Sequence, residues 1–293
     1  MHDDDTTAPR RRPVPVLVAA AALLAVTGGW LAWHSTSGAA EPARTAPAPG
    51  PAASSAPSAR PAPSGGDPSA PLAGKTVVID PGHNPGNFSH AREIARQVDI
   101  GTKRKECDTT GTSTNSGYTE AAFTLDVSHR LRTLLRKLGA TVVLTHDADR
   151  PFGPCIDERA RIGNAAKADA VVSVHADGSG TGNRGFHVIL PARVEDGAAD
   201  TAAITGPSRA LGQHIAREFA AATGTAPANY LGGGSGLDVR GDLGGLNLST
   251  VPKVFVECGN MRDPKDAALL TDAAWRQKAA GGMAAGLRTY LRS

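Results

Sequence analysis

The stretch Val77-Val78-Ile79-Asp80-Pro81-Gly82-His83-Asn84 decides how this chain is read. Three apolar β-formers run into Pro-Gly, so a short buried strand gives way to a sharp turn with a histidine just past its end. A side chain at the carboxyl end of a strand stands where open α/β sheets hold their ligands. The same texture, rich in Val and Ile without clean alternation, returns at 141–145, 170–174, 185–190 and 253–257. Such runs are strands covered on both faces. Between them lie helical faces. Val127, Leu131, Leu134, Leu135 and Leu138 share one that Gly139 stops, and Leu211, Ile215 and Phe219 share another between Pro207 and Gly224. Trp275, Leu287 and Leu291 fall on a last helix that Gly281-Gly282 should weaken. Alternating strands and helices predict one α/β domain with a mainly parallel, twisted sheet flanked by helices.

Working outward, the sequence ahead of Lys75 is of another kind. Residues 1–13 carry Arg10-Arg11-Arg12 and read as a cytoplasmic basic segment. Residues 14–33 are uncharged and long enough to cross a bilayer as a helix, and Ser37-Gly38-Ala39-Ala40 supplies small residues of a cleavage site. A cleaved signal peptide and an uncleaved signal anchor both fit. Residues 34–74 are dominated by Pro, Ala, Ser and Gly, and such a segment is an extended tether rather than a packed unit. The folded domain is expected over 75–293, outside the cytoplasm. The net charge of +3, with aromatics at only 4%, gives no footprint for nucleic acid. Nothing in the sequence indicates an oligomer, so a monomer is the default.

Of the three cysteines, Cys107 and Cys155 flank the first long helix, and outside the cytosol they are expected to form a disulfide. Cys258, inside an apolar run, reads as a small core residue. No Cys-x-x-Cys spacing suggests a thiolate metal site.

Four residues can carry chemistry. His175 closes Val171-Val172-Ser173-Val174-His175 as His83 closes the first strand, so two parallel strands would bring two imidazoles to one sheet edge. Glu120 sits in the first turn of a helix, where an acid ordinarily offsets the helix dipole. It also lies three and seven residues before Phe123 and Val127, on the buried face, and an inward carboxylate needs a partner. Glu257 ends the apolar run Val254-Phe255-Val256, where burial would raise its pKa toward that of a general base; capping or an ion pair at the sheet edge is the plainer alternative. Two imidazoles and a carboxylate form the ligand set of a catalytic zinc, and a second glutamate can move the proton of its water.

At this point the sequence resembles a known family. Val77–His83, Glu120 opening a long helix, Ser173-Val174-His175-Ala176-Asp177 and Val254–Asn260 look like the zinc-dependent N-acetylmuramoyl-L-alanine amidases of the Amidase_3 type, over essentially the whole of 75–291. The likeness to compact, stand-alone catalytic members extends to Cys107, Cys155, residues 112–118 and residues 243–247. It implies one zinc ion on His83, Glu120 and His175, Glu257 as catalytic glutamate, and peptidoglycan or muropeptides as substrate. The bond cut would join the lactyl group of N-acetylmuramic acid to the first L-alanine of the stem peptide. Asp80 is a candidate to orient a ligating histidine or to cap the Pro81-Gly82 turn. Cys258 departs from the larger apolar residue common there. No insertion between His83 and Glu120 resembles the helix that plugs the site in some members.

Two other readings share these residues: a zinc carboxypeptidase cutting within the stem peptide, and a wall-binding protein that kept the fold without catalysis. Weaker candidates are His187, which would face the cleft or the sheet edge, and Arg240 with Asp242, which read as ordinary surface charges ahead of contacts for a charged, peptide-bearing polymer. His90, His129, His146 and His214 read as solvated. Gly232-Gly233-Gly234-Ser235-Gly236 reads as a flexible loop at the groove rim, and the polar stretch 88–118 as a surface excursion near the site.

Overall fold

The computed structural model describes residues 69–293. The basic segment 1–13, the apolar run 14–33 and most of the tether expected at 34–74 lie outside them. Among the described residues, no helix is long and apolar enough to cross a membrane.

Six strands build the central sheet: β1 (Thr76–Pro81), β2 (Thr141–Leu144), β3 (Ala170–Asp177), β4 (His187–Pro191), β5 (Leu237–Arg240) and β6 (Lys253–Asn260). Their spatial order is β2-β1-β3-β6-β4-β5. Every neighbouring pair is parallel except β6 with β4. The chain steps from β1 outward to β2 and then back to β3 on the other side. The carboxyl ends of β1 and β3 therefore form a topological switch point, the crevice where such sheets bind ligands.

Alternation along the strands gives the sheet two unlike faces. Val77, Ile79, Val172, Val174, Val188, Leu190, Val254 and Val256 enter the main core. That core is closed by helices α1 (Glu120–Lys137), α3 (Thr205–Thr223) and α5 (Ala273–Leu291), through Phe123, Val127, Leu131 and Leu135, Leu211, Ile215 and Phe219, and Trp275 and Leu287. Each of these large side chains contributes about 1.5–3 kcal/mol by leaving water. The opposite face begins apolar, with Val78 and Val171 packed near Ile162 of helix α2 (Ile156–Ala165). It then turns polar toward the switch point, where Asp80 lies beside Ser173 and Glu257 lies beside His175 and His187. A short helix α4 (Pro264–Thr271) precedes α5.

Four expectations need correction. First, the strands run on through the chemistry: Pro81 lies within β1, His175 within β3 and Glu257 within β6. Second, Gly281-Gly282 does not interrupt the last helix, which is continuous over 19 residues. A Cβ on Gly282 would lie 2.8 Å from Phe219 Cα, and one on Gly286 would lie 2.6 Å from Ile215 Cα, so small residues there let α5 and α3 touch backbone to backbone. Third, the domain starts before Lys75, because Leu72 is fully buried and its N–H donates to Leu138 O at 2.8 Å. Fourth, the stretch 88–118 is more than surface. It forms a turn of helix (Ala91–Ile94) and a hairpin of Gln97–Asp99 with Arg104–Glu106, and it buries Ile94, Val98, Ile100 and Cys107. Cys107 is bonded to Cys155, the residue that caps α2. Apolar residues this sparse gain a core from the disulfide they surround.

Candidate metal centre

His83 leaves β1 with φ of 62°, a left-handed conformation uncommon for a side-chain-bearing residue and frequent at functional sites. Gly82 just before it donates to Val174 O at 2.9 Å, and a Cβ at position 82 would run into the ring of His175. The turn thus brings the first histidine against the second, with ring centroids 5.1 Å apart. Thr119 caps α1 by accepting from Ala122 N–H, which sets Glu120 at the first helical position. Glu120 is 4% exposed. Its Oε2 lies 3.2 Å from His83 Nε2 and accepts from Thr112 N–H at 2.9 Å; its Oε1 lies 3.0 Å from His175 Nδ1 and accepts from Ala176 N–H at 3.2 Å.

One ligand atom from each of His83, Glu120 and His175 lies within 4.8 Å of the other two. Two imidazoles and a carboxylate suit a divalent cation of the zinc kind. The orientation of His83 fits as well, since its Nδ1 faces Thr109 O at 3.1 Å and Asp108 Oδ1 at 3.5 Å, leaving Nε2 toward the cluster. Burial opposes charge on His83, yet Glu120 and Asp108 outweigh it and raise its pKa to about 10. Burial likewise opposes charge on Glu120, but His83 and His175 hold it well below the usual carboxylate range. The acids draw positive charge to this point, as a proton on the imidazole or as a bound cation.

Beneath the cluster is a second set of charges. Asp80 does not reach a site imidazole. Its carboxylate accepts from Thr145 Oγ1 at 2.7 Å, Arg159 at 2.8 Å, Ser173 Oγ at 2.9 Å and Lys253 Nζ at 3.1 Å. Burial works against its charge, but Lys253 and Arg159 depress its pKa far below the ordinary range. Arg159 also donates to Pro81 O, His83 O and Asp108 Oδ2, at 2.6, 3.1 and 2.9 Å. Arg159 therefore carries the effect of Asp80 to the His83 backbone, and Asp108 with Thr109 faces the ring.

Glu257, beside His175 in the ladder, has its Oε2 buried without a hydrogen-bond partner among the described residues. Burial raises its pKa well above the usual carboxylate value, and the like charges of Glu120 and Asp177 add to the rise. Phe255 stacks on His175 with centroids 5.0 Å apart and an interplanar angle of 17°, fixing that ring from below.

Two cavities meet at His83, Thr109, His175, Leu243 and Phe255. One, of about 410 Å³, extends beneath the hairpin past Lys105, Ile156 and Gly244. The other, of about 350 Å³, holds Glu120, Asp177, Arg240 and Glu257. Arg240 thus lines the site rather than the open surface, clamped by Asp242 at 2.8 Å through two nitrogens. Lys105 of the hairpin donates to Asp242 O at 3.0 Å across the mouth.

His187 is buried next to Glu257. His146 is not solvated as expected: it is 4% exposed, with Nε2 3.1 Å from Pro81 O. The turn after β2 folds it under the end of β1. His129 pairs with Asp147, His90 Nδ1 meets Gly86 O at 2.9 Å, and His214 lies beside Arg217. Cys258 is free and buried. The glycine run does not edge the site: Gly232–Gly234 forms a tight turn with positive φ at each glycine, and Ser235 lines a separate hollow against α3. Sequence reasoning missed Asp108, Arg159 and Lys253. The one signal available was the position of Lys253 at the head of a strongly apolar strand.

The model of the family Amidase_3, described as N-acetylmuramoyl-L-alanine amidase, matches residues 77–289. The chain is 43% identical over 221 residues to the N-acetylmuramoyl-L-alanine amidase Rv3717 of Mycobacterium tuberculosis, covering 75% of this chain and 88% of that one. Among solved structures, the N-acetylmuramyl-L-alanine amidase Ami1 of Mycobacterium smegmatis is 40% identical with a TM-score of 0.69, over 75% of this chain and 98% of that one. The apo form of Ami1 from Mycobacterium abscessus is 41% identical with the same TM-score, over 75% of this chain and all of that one. A fold with its candidate site at the β1–β3 switch point, a family model spanning nearly the whole folded domain and a relative of this identity lead to one assignment: the chain belongs to the Amidase_3 family of N-acetylmuramoyl-L-alanine amidases.

Proposed function

We propose that the chain is a zinc-dependent peptidoglycan hydrolase that cleaves the amide between the lactyl group of N-acetylmuramic acid and the L-alanine of the stem peptide. The observation that carries this reading is the convergence of His83, Glu120 and His175 beside a half-buried Glu257 whose Oε2 is enclosed and unpaired among the described residues. Membership of the amidase family supplies the bond. Zinc held by the three residues would act as a Lewis acid on the scissile carbonyl and make water a better nucleophile at neutral pH. Glu257 takes the proton that the attacking water gives up, and burial makes it a stronger base than an exposed carboxylate. The water oxygen bonds to the carbonyl carbon, the carbon–nitrogen bond breaks, and Glu257 delivers the proton to the departing alanine amine. Asp108 and Thr109 hold the His83 ring, and Phe255 holds that of His175. The paired cysteines agree with work in an oxidising compartment outside the cytoplasm, reached through the segment at 14–33 as a cleaved signal or an anchor.

The test is metal analysis joined to a muropeptide digest. One zinc per chain, with glycan carrying free lactyl groups and intact peptides beginning at alanine, supports the reading. New ends inside the stem peptide would favour a carboxypeptidase, and binding without cleavage would favour a wall-binding protein. Chelation should abolish cleavage and added zinc should restore it.

A further inference from the structure

The polar row across the sheet does not stop at Glu257. In the antiparallel β6–β4 ladder, the residue directly opposite Glu257 is His187. Opposed residues project from the same face, with Cβ atoms about 5 Å apart. His187 is 2% exposed, and its Nδ1 is buried with no hydrogen-bond partner among the described residues. Glu257 Oε2 is in the same condition. Unpaired buried polar atoms are rare in native proteins, and here two stand on facing residues of adjacent strands. Their chemistry is complementary. An ionised carboxylate only accepts, whereas a neutral imidazole has one N–H that either nitrogen can carry. Burial lowers the pKa of His187, so near neutrality it holds a single proton. The ring is braced edge-on by Tyr230, with centroids 6.1 Å apart at 84°. The Tyr230 hydroxyl in turn donates to Asp177 Oδ2 at 2.7 Å, and Asp177 lines the same cavity as Glu257.

We infer that His187 is the positioning partner of Glu257: its Nδ1–H donates to Oε2 and leaves the other carboxylate oxygen to face the water and the departing amine. The contact closes by side-chain rotation with both strands in place. This inference rests on the role proposed above for Glu257.

Three variants separate positioning from packing. His187→Asn sets an amide nitrogen near the place of Nδ1, His187→Gln sets one near Nε2, and His187→Phe keeps a ring against Tyr230 with no N–H. Measured on muropeptide amide cleavage, the Phe and Gln variants should lose about 10–100-fold in kcat with KM and zinc content unchanged, and Asn should recover about tenfold over Phe. Full activity in the Phe variant, or an Asn variant no better than Phe, would overturn the inference. Should the natural chain fail to cleave that amide, the proposed function falls, and the pairing is read without turnover from the imidazole ¹⁵N resonances of His187. An Nδ1-protonated tautomer that Glu257→Leu converts to the Nε2 form supports the pairing; an Nε2-protonated tautomer in the natural chain overturns it.

Discussion

Two groups of charge, the lower fully buried and the upper partly so, lie one above the other at the end of β1, and they are built on opposite plans. The lower group, Asp80 with Arg159, Lys253 and Asp108, is closed. Asp80 accepts from four side chains, and Arg159 spends its donors on two carboxylates and three backbone carbonyls. The upper group, His83, Glu120, His175 and Glu257, is left open: three ligand atoms face one point, and Glu257 keeps a buried oxygen unpaired. Burying a charge is expensive unless it is paired. The lower group meets that cost within the fold, so it serves as scaffold. The upper group keeps part of it outstanding, and that unmet demand is what a cation, a proton or a substrate can answer at the ligand atoms, as His187 can at Glu257.

The contrast breaks most easily at Glu257. Glu257→Gln should cut turnover by about 10³-fold, within the range general acid–base groups supply, and leave the urea unfolding midpoint equal or higher. A large loss of stability instead would place Glu257 with the scaffold. Asp80→Asn should do the reverse, unfolding the chain more easily by about 3–5 kcal/mol because Arg159 and Lys253 are left buried without their acid. The pH dependence follows from the depressed pKa of Asp80. Its folded value lies below the unfolded one of about 3.9, so its contribution is present in full above roughly pH 4 and is lost as pH falls through the folded value. Natural protein should therefore show acid destabilisation from this residue only below about pH 4, and Asp80→Asn should lack that component in acid titrations followed by circular dichroism.

Removing the disulfide with Cys107→Ser and Cys155→Ser should cost about 2–4 kcal/mol in thermal unfolding, since the cysteines are 48 residues apart. It should also weaken zinc binding, because Asp108 and Thr109 follow the bonded cysteine directly. The smallest effect is expected where charges are exposed. Arg132→Ala, which opens the Arg132–Asp147 pair, should change stability by less than about 1 kcal/mol. A larger change would show that burial is not what separates these groups.

The open group was legible in the sequence and the closed one was not. His175 and Glu257 stand out because each breaks into an apolar strand, and His83 because it follows one directly; a polar residue at either place calls for an explanation. Glu120 was legible through its helical phase with Phe123 and Val127. Arg159 follows Glu158 on a helix with no strong apolar face, and nothing local says that it points inward. Its guanidinium is enclosed where it meets Asp80, Pro81, His83 and Asp108, residues distant from it in the chain. Asp108 lies in a polar stretch whose burial depends on a bond to a cysteine 48 residues away. His146 looked solvated because the turn after β2 looks like any other turn. Periodicity reports what an element does with its own faces; it does not report which loop another element will cover.

The guanidinium of Arg159 has a consequence for how this enzyme family can vary. By gripping Pro81, His83, Asp80 and Asp108 together, it makes the end of β1, the start of α2 and the base of the 88–118 segment a single truss. The hairpin of residues 97–106 projects from that truss ahead of Cys107, which is itself tied to α2. Lengthening, shortening or recharging the hairpin would alter the shape of the cleft mouth and leave the ligand positions where Arg159 holds them. The rim is free to follow the wall polymer it meets, and His83 does not have to move with it.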